Sequence, residues 1–304
     1  MDKKRLTAYA MLLAATVIWG VAPPVIKFTL ADFSPIVFLT YRFFISILII
    51  LPLFVLVDDN VPKVKTKDWM YVALAGLLSS SVNLGLLFWG IDNTTALAGA
   101  LIASTSPVII VLAGVLFLKE KVTKQEKIGL LIALLGSLII TVSPSLNHTG
   151  GSVFGNLLII VANFSWVAYL IICKKKLYSV FSPLFLTTSS FIIGFLSLFP
   201  FAIKEAGSIS NLVYNVADAH MGAHLGVIYM AVFSGVIAYW IYQEGQKRIE
   251  ISEATMFSYL GPLFAAPLSI LWLNEKPSSL FLAGATIIAI GVIMAEYRKR
   301  KLKS

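Results

Sequence analysis

Apolar runs of about 20 residues, separated by short polar loops, fill almost the whole chain. Ten such runs occur, with approximate limits at residues 6–29, 35–57, 69–91, 95–118, 124–143, 153–173, 183–203, 223–245, 251–273 and 279–296. Each run is long enough to cross a hydrocarbon core of about 30 Å as a helix. Because a helix satisfies its own backbone hydrogen bonds, the pattern predicts an all-α integral membrane protein with ten transmembrane helices.

Lysine and arginine are distributed unevenly among the loops between these runs. If the N-terminus is cytoplasmic, the inside segments hold 20 of the 24 basic residues, and the outside segments hold only Lys27, Lys204 and Lys276. The remaining one, Arg42, lies inside the second run. Since cytoplasmic loops are enriched in positive charge, this distribution predicts a multi-pass membrane protein with both termini in the cytoplasm.

The second half of the chain repeats the first. Trp19 and Lys27 recur 147 residues later as Trp166 and Lys174. Five more positions recur 155 residues later without a gap: Pro107, Glu120, Lys121, Gly129 and Gly136 correspond to Pro262, Glu275, Lys276, Gly284 and Gly291. The repeat predicts two five-helix units, 6–143 and 153–296, followed by a basic cytoplasmic tail at 297–304. Because five is odd, the second unit enters the membrane from the opposite side, so the two repeats are inverted. Many transporters are built from two such halves, since inverted repeats offer two nearly equivalent packings, one open to each side, which is the basis of alternating access.

Composition excludes several classes of protein. The chain is 58% hydrophobic and 13% charged, far from the balance of a soluble domain. A single cysteine, Cys173, excludes an internal disulfide, and the three histidines fall in or beside loops. We find no phosphate-binding loop, paired buried carboxylates or metal-ligand cluster, so we expect neither an enzyme nor a cofactor. The net charge of +9 lies in short loops, so the expected partners are the lipid bilayer and a small-molecule substrate, not nucleic acid. The sequence gives no indication of oligomeric state.

Polar and aromatic residues cluster at mid-membrane depth. An amide is costly in lipid, so Asn83 and Asn163 should face the interior of the bundle. Tryptophan and tyrosine more often lie at membrane interfaces, where they act as anchors, and each one here could also serve packing alone. The predicted cavity-lining set is Trp19, Asn83, Thr105, Asn163, Trp166, Tyr169, Tyr239, Trp240, Tyr259 and Arg42.

Two charged residues raise separate hypotheses. Arg42 is the only cation deep inside a predicted span, about seven residues from its outer end, whereas Lys27, Lys124 and Lys127 lie near the ends of their runs. It could form a structural ion pair with Asp32 or Asp92, extend outward to the interface, or recognise a substrate carboxylate or phosphate. Glu244 is the best candidate for proton coupling, although it also lies one turn before Arg248 and could form a surface pair with it.

Prolines and glycines inside the apolar runs predict how the helices bend and pack. Pro23 and Pro24 are expected to interrupt the first run, and Pro107 and Pro262 occupy equivalent positions in the fourth and ninth. Each proline is either a fixed kink or a hinge beside the transport path. The glycine pairs of the fifth and tenth runs are seven residues apart, which places each pair on one helix face and favours close packing.

These motifs together resemble a known family. They are Trp19-Gly20 followed by Lys27, Arg42-Phe43, the stretch Ala98–Pro107, Leu118–Lys121, and Gln125 with Gly129 and Gly136; the second half repeats them with Glu253-Ala254, Pro262, Glu275 and Gly291. The chain resembles the ten-span EamA-type members of the drug/metabolite transporter superfamily. The resemblance implies a secondary carrier of a bacterial or archaeal cytoplasmic membrane, often an exporter of amino acids or other small metabolites. It also implies a central cavity lined by the first, third, fourth, sixth, eighth and ninth runs.

Two other functions remain open from the sequence. A sugar-phosphate or nucleotide-sugar antiporter could use the same fold, but phosphate recognition favours several buried cations and the spans offer only Arg42. A membrane scaffold or lipid-binding protein would explain the hydrophobicity. It would not explain the inverted duplication or the polar cluster at mid-depth.

Overall fold

The computed structural model describes residues 3–57, 65–103, 105–118, 123–147, 151–249 and 254–303. Within these ranges the chain is helical, and no β-strand is present. The prediction of an all-α protein is therefore confirmed.

The helices of the first half follow the first five apolar runs. They are α1 (Lys3–Thr29), α2 (Pro35–Val57), α3 (Thr66–Gly76), a π-helix (Leu77–Val82), α4 (Asn83–Asp92), α5 (Ala96–Ala103), α6 (Ser106–Leu118) and α7 (Lys124–Asn147).

The second half has the same order, with one additional surface helix. Its elements are α8 (Val153–Ile172), a π-helix (Cys173–Leu177), α9 (Pro183–Ala206), α10 (Ile209–Ala217), α11 (Met221–Ile228), a π-helix (Tyr229–Ile237), α12 (Ala238–Arg248), a 3₁₀-helix (Thr255–Leu260), α13 (Gly261–Leu271) and α14 (Ser279–Lys303). Helix α10 was not predicted. It begins at Ser208, whose hydroxyl accepts a hydrogen bond from the N–H of Asn211 at 3.1 Å.

Seven helical stretches of the described chain are long and apolar enough to cross a membrane. They are Arg5–Thr29, Pro35–Leu56, Thr66–Asp92, Ala96–Phe117, Val153–Leu177, Pro183–Ala206 and Met221–Arg248. Three further apolar helices, Lys127–Val142, Gly261–Leu271 and Ser279–Gly291, are shorter and correspond to the fifth, ninth and tenth runs. The protein is thus a multi-pass membrane protein, and each of the ten runs contains helix.

Helices α7 and α14 pack against each other through glycine. A Cβ atom added at Gly136 would lie 2.7 Å from the carbonyl oxygen of Gly284, and one added at Gly291 would overlap the backbone nitrogen of Ala133. The two backbones therefore touch, which only residues without a side chain permit. The predicted packing role of these glycines is confirmed.

All four predicted hinge prolines lie in local structure that differs from the expectation. Pro23 and Pro24 lie within the continuous helix α1, so the expected interruption of the first run is wrong. Pro262 is the second residue of α13, directly after the 3₁₀-helix. Pro107 is the second residue of α6, just beyond the end of α5, and its side chain is outside the described part of the chain. Proline is favoured at a helix start because the backbone N–H that it lacks would have no partner there. The fourth and ninth runs are thus each divided at an equivalent proline.

Two π-helices occupy equivalent places in the two halves. Leu77–Val82 lies in the third run directly before Asn83, and Tyr229–Ile237 lies in the eighth run directly before Ala238 and Tyr239. A π-helix is rare and tends to occur at functional sites, because its altered hydrogen-bond pattern leaves backbone carbonyls free for other partners. The second π-helix lines the cavity described next through Met230 and Ser234, and the first ends directly before Asn83, which also lines it.

Candidate substrate cavity

A cavity of about 180 Å³ lies between helices from both halves of the chain. Its walls come from the first, third, fourth, sixth, eighth and ninth runs, and Arg42 adds the second run. Seven of the predicted site residues line it: Trp19, Pro23, Arg42, Asn83, Asn163, Trp166 and Tyr239. The polar residues at mid-depth in both halves therefore converge on one space.

An aromatic cluster forms one wall of the cavity. The rings of Trp19 and Trp166 meet edge to face, with their centroids 6.0 Å apart. Trp19 also lies 5.3 Å from Tyr239 and 4.8 Å from Tyr242. Since Trp19 and Trp166 are equivalent in the repeat and touch each other, this wall lies where the two halves meet. Such rings provide an apolar surface with a preferred edge-to-face geometry.

Two asparagines line the cavity and are held by hydrogen bonds to neighbouring helices. The Nδ2 of Asn83 donates to the carbonyl oxygen of Ala162 at 2.8 Å, and the Nδ2 of Asn163 donates to that of Ile102 at 3.0 Å. Each bond uses one N–H of the amide. The amide oxygen, an acceptor, and the second N–H, a donor, remain for a bound solute.

Arg42 is almost completely buried, with 1% of its surface exposed. Its Nε donates to the carbonyl oxygen of Met230 at 2.8 Å, while one terminal nitrogen has no hydrogen-bond partner. The guanidinium carbon lies 5.7 Å from the ring centroid of Phe88 and 5.9 Å from that of Phe43. This burial excludes the hypothesis that Arg42 extends outward to the interface.

The predicted ion pairs of Arg42 are absent among the described residues. The carboxylate of Asp32 accepts a hydrogen bond from the backbone N–H of His220 at 3.3 Å, on the outer surface of the bundle. Asp92 lies near Lys27, whose ammonium donates to its backbone carbonyl oxygen at 2.8 Å. The π-helical carbonyl of Met230 supplies the acceptor that a carboxylate was expected to supply.

Carbonyl groups of both π-helices accept hydrogen bonds from side chains of other helices. In the second half, Met230, Ala231 and Ser234 accept from Arg42 Nε at 2.8 Å, Ser46 Oγ at 3.1 Å and Trp19 Nε1 at 2.9 Å. In the first half, Leu78 and Ser79 accept from Ser165 Oγ at 2.7 Å and Tyr239 Oη at 3.5 Å. The cavity walls are thus held together by bonds that cross between helices.

Four predicted site residues lie outside the cavity wall. Trp240 has 36% of its surface exposed on the outside of the bundle, because it is turned about 100° around the helix from Tyr239. Tyr169 is buried behind Trp166, with ring centroids 5.1 Å apart. Thr105 donates to the carbonyl oxygen of Ile102 at 2.6 Å within its own turn.

Glu244 is the fourth residue outside the wall. Its carboxylate pairs with Arg248 at 3.1 Å on a partly exposed helix face, as the spacing of four residues indicated. The geometry therefore gives no support to Glu244 as a proton-coupling group in the cavity. The side chain of Tyr259, the remaining predicted site residue, falls outside the described residues.

The cavity also contains residues that the sequence did not single out: Thr16, Ser106, Ser234, Tyr242 and Ser258. Two of them carried a usable signal. Tyr242 lies three residues after Tyr239, and Thr16 three residues before Trp19, so each shares a helix face with a predicted site residue. The other three are small hydroxyl residues without a comparable pattern.

Lys27 and Glu275 connect several helices at one end of the bundle. Lys27 Nζ donates to the carbonyl oxygens of Ile91 and Asp92, at 3.0 and 2.8 Å. The carboxylate of Glu275 accepts from the N–H groups of Ala96 and Leu97, at 2.6 and 2.9 Å, and thereby caps α5. Burial raises the pKa of the Glu275 carboxyl, while these two hydrogen bonds and the positive charge of Lys27 lower it to a smaller extent.

The repeat equivalent of Lys27 makes the corresponding contact in the second half. Lys174 Nζ donates to the carbonyl oxygens of Gln246 and Ile249, at 3.1 and 2.7 Å, where α12 ends. Lys27 contacts the end of α4 in the same way. Glu120, the equivalent of Glu275, lies outside the described residues. The contacts of Lys27 and Lys174 are therefore equivalent in the two halves.

Comparison with known proteins identifies the family. The family described as "EamA-like transporter family" matches the chain twice, over residues 6–142 and over residues 153–297. The uncharacterized transporter YetK of Bacillus subtilis (strain 168) is 27% identical over 98% of this chain and 89% of its own length. A probable terminal-alkyne amino-acid exporter of Streptantibioticus cattleyicolor is 22% identical over 79% of this chain and 77% of its own.

A solved crystal structure has the same fold. It superposes with a TM-score of 0.65 at 16% identity and covers 98% of this chain and 99% of its own. Together with the two family matches, which cover almost every residue, this likeness leads to one assignment. The chain belongs to the EamA-like transporter family, whose members are transporters and not enzymes.

Proposed function

We propose that this protein is a secondary transporter that exports amino acids or other small metabolites across the cytoplasmic membrane by alternating access. The observation that carries the proposal is the cavity at the junction of the two halves, where Trp19 meets its repeat equivalent Trp166 at 6.0 Å. In transporters built from inverted repeats, substrate sites lie near the bilayer midplane at the interface of the repeats. The site residues proposed here are the cavity-lining members of the predicted set.

The proposal includes ten spans, arranged as two inverted five-helix repeats (6–143 and 153–296) with both termini in the cytoplasm. The matched contacts of Lys27 and Lys174 support the equivalence of the halves. The unequal distribution of basic residues supports the orientation. The divided fourth and ninth runs support a pair of equivalent moving elements, with Pro107 and Pro262 at their break points.

The size and charge of the cavity favour a small solute. Sites for drug-sized ligands are usually about 300–1,000 Å³, and this cavity is about 180 Å³. A nucleotide sugar or sugar phosphate would also require more cationic groups than Arg42 alone. The relative named as a probable amino-acid exporter supports the amino-acid class.

The proposal is tested by solute efflux from proteoliposomes. Vesicles containing the purified protein are loaded with a mixture of the standard amino acids, and released solutes are measured by mass spectrometry. We expect release above that of protein-free vesicles, with a loss of about five- to hundredfold in Trp19→Ala and Asn83→Ala, since an unmet buried hydrogen bond costs about 1–3 kcal/mol.

Matched controls lie at the outer end of the third run. Trp89 is 52% exposed, and the Asn93 amide donates to the Trp89 carbonyl oxygen at 2.9 Å on the surface. Trp89→Ala and Asn93→Ala should therefore retain efflux. Unchanged efflux in both cavity variants would contradict the site. Wild-type release no faster than from protein-free vesicles would contradict export of this class of solute.

A further inference from the structure

The charge inside the cavity is of one sign. Arg42 is the only charged side chain among the described residues of its wall. Three acidic groups that the structure describes are engaged elsewhere: Glu244 pairs with Arg248 on a helix face, Glu275 caps α5, and Asp32 accepts from the N–H of His220. A solute in the cavity therefore meets a cation without a protein counter-ion.

We propose that Arg42 binds a single carboxylate group of the solute, and that the transported class is small monocarboxylates with an apolar or aromatic body. This inference rests on the proposed transport function and narrows its substrate. A buried guanidinium without an anion is costly, so a site that retains one gains most from a ligand that brings the anion. Arginine also presents paired donors that match the two oxygens of a carboxylate.

The hydrogen bonds that Arg42 makes in the structure leave part of its capacity to bind a carboxylate unused. Its Nε is committed to the carbonyl oxygen of Met230, which fixes the direction of the guanidinium. One terminal nitrogen has no partner, although 99% of the residue is removed from solvent by the fold. Buried donors are almost always paired, so this donor, on a residue of the cavity wall, is suited to an acceptor that a solute supplies.

The rest of the wall selects for an apolar body and against a second charge. Rings of Trp19, Trp166 and Phe88 face the cavity. The NH₂ groups of Asn83 and Asn163 are already bonded to backbone carbonyls. A second carboxylate or a phosphate would find no second cation among the described residues of the wall, only the one remaining N–H of each amide, so dianionic solutes should bind poorly.

The repeat distinguishes this role from a structural one. The position equivalent to Arg42 in the second half is Ser190, which is also buried. A residue required by the scaffold would be expected in both halves, as Lys27 and Lys174 are. Arg42 thus adds a cation on one side of the cavity only.

The wild-type protein alone provides the first test. Isothermal titration calorimetry in detergent compares three probes of nearly equal size: 3-phenylpropanoate, 3-phenylpropanamide and 3-phenylpropylammonium. We expect the carboxylate to bind at least about tenfold more tightly than the amide, and the ammonium to bind most weakly. Equal affinity for carboxylate and amide, or no binding of the carboxylate, overturns the proposal.

Variants then assign the preference to Arg42. Arg42→Gln should bind the amide as the wild type does and lose the carboxylate advantage, while Arg42→Lys should keep part of it. Ser46→Ala is the matched control, because Ser46 donates to the next carbonyl of the same π-helix, that of Ala231 at 3.1 Å, and carries no charge. A carboxylate preference that survives in Arg42→Gln, or disappears in Ser46→Ala, refutes the assignment.

The two hypotheses can fail separately. Efflux of neutral or cationic solutes from the proteoliposomes, combined with equal binding of carboxylate and amide, would retain the transporter and reject the substrate class. Tight carboxylate binding without any efflux would reject transport while the site remains.

Discussion

The pair of helices α7 and α14 and the central cavity are assembled on different physical principles. The helix pair is held by direct backbone contact at Gly136, Gly284 and Gly291. The cavity walls are held by side chains that donate to backbone carbonyls of neighbouring helices, as Asn83 and Arg42 do. In lipid the first kind of contact depends on close packing, whereas the second satisfies polar groups that would otherwise be costly.

The two regions also differ in their relation to the repeat. Each glycine of the helix pair has an equivalent in the other half of the chain. In the cavity, Trp19 and Trp166 are equivalent, but the residue that corresponds to Arg42 when the two halves are aligned is Ser190. The repeated residues thus build a frame common to both halves, and the departures from the repeat give the cavity its polarity.

The largest expected effect is on stability, at the contact between helices α7 and α14. Gly291→Ala places a Cβ against the backbone of Ala133, so helix α14 must move away from α7. We expect a loss of about 1–3 kcal/mol in the free energy of unfolding, as for other overpacked sites. The loss is measured as a lower apparent melting temperature of the purified protein in detergent.

Gly85→Ala is the matched control for this prediction. A Cβ at Gly85 would meet no atom within 4 Å, and alanine is a better helix former than glycine by about 1 kcal/mol. The control should therefore leave stability unchanged or raise it. Equal destabilisation by both substitutions would show that the contact between α7 and α14 is not limiting.

Sequence periodicity predicted the frame well, because its determinants are local. The apolar runs required helices, and glycines seven residues apart required a close contact on one face. The cavity was predicted in part. Trp19, Trp166, Asn83 and Asn163 were identified because polar and aromatic residues at mid-depth are unusual.

The errors in the cavity share a physical cause, since helical phase and backbone breaks were not predicted. Tyr239 and Trp240 are neighbours in sequence, and only the phase set by the π-helix Tyr229–Ile237 decides which one faces inward. The same π-helix exposes the carbonyl of Met230 that binds Arg42. Nothing in the composition of the eighth run indicates that break, so an acidic partner was expected instead.

A smaller expected effect on stability tests whether Lys27 and Lys174 have equivalent roles in the two halves. Lys27 and Lys174 each donate two hydrogen bonds to carbonyl groups at a helix end. Lys27→Met and Lys174→Met should each lower the free energy of unfolding by about 1–2 kcal/mol, since such bonds involve a charged donor. Thermal unfolding of both variants is compared with that of Lys204→Met, whose side chain is exposed. A loss in only one of the two would break the equivalence of the halves.

The smallest expected effect is the pH dependence of stability that arises from the carboxyl group of Glu275. Burial holds the pKa of the Glu275 carboxyl above its ordinary value of 4.5, so the folded protein binds this proton more tightly than the unfolded chain. Stability should then decrease as pH rises from that value through the raised pKa of the folded state, because ionisation is less favourable in the fold.

Glu275→Gln should flatten this slope, whereas Glu205→Gln, at an exposed position, should retain it. Melting temperatures measured across the mildly acidic range give both slopes. An unaltered slope in Glu275→Gln would mean that ionisation of Glu275 is not linked to folding, and its contact with α5 would then act through hydrogen bonding alone.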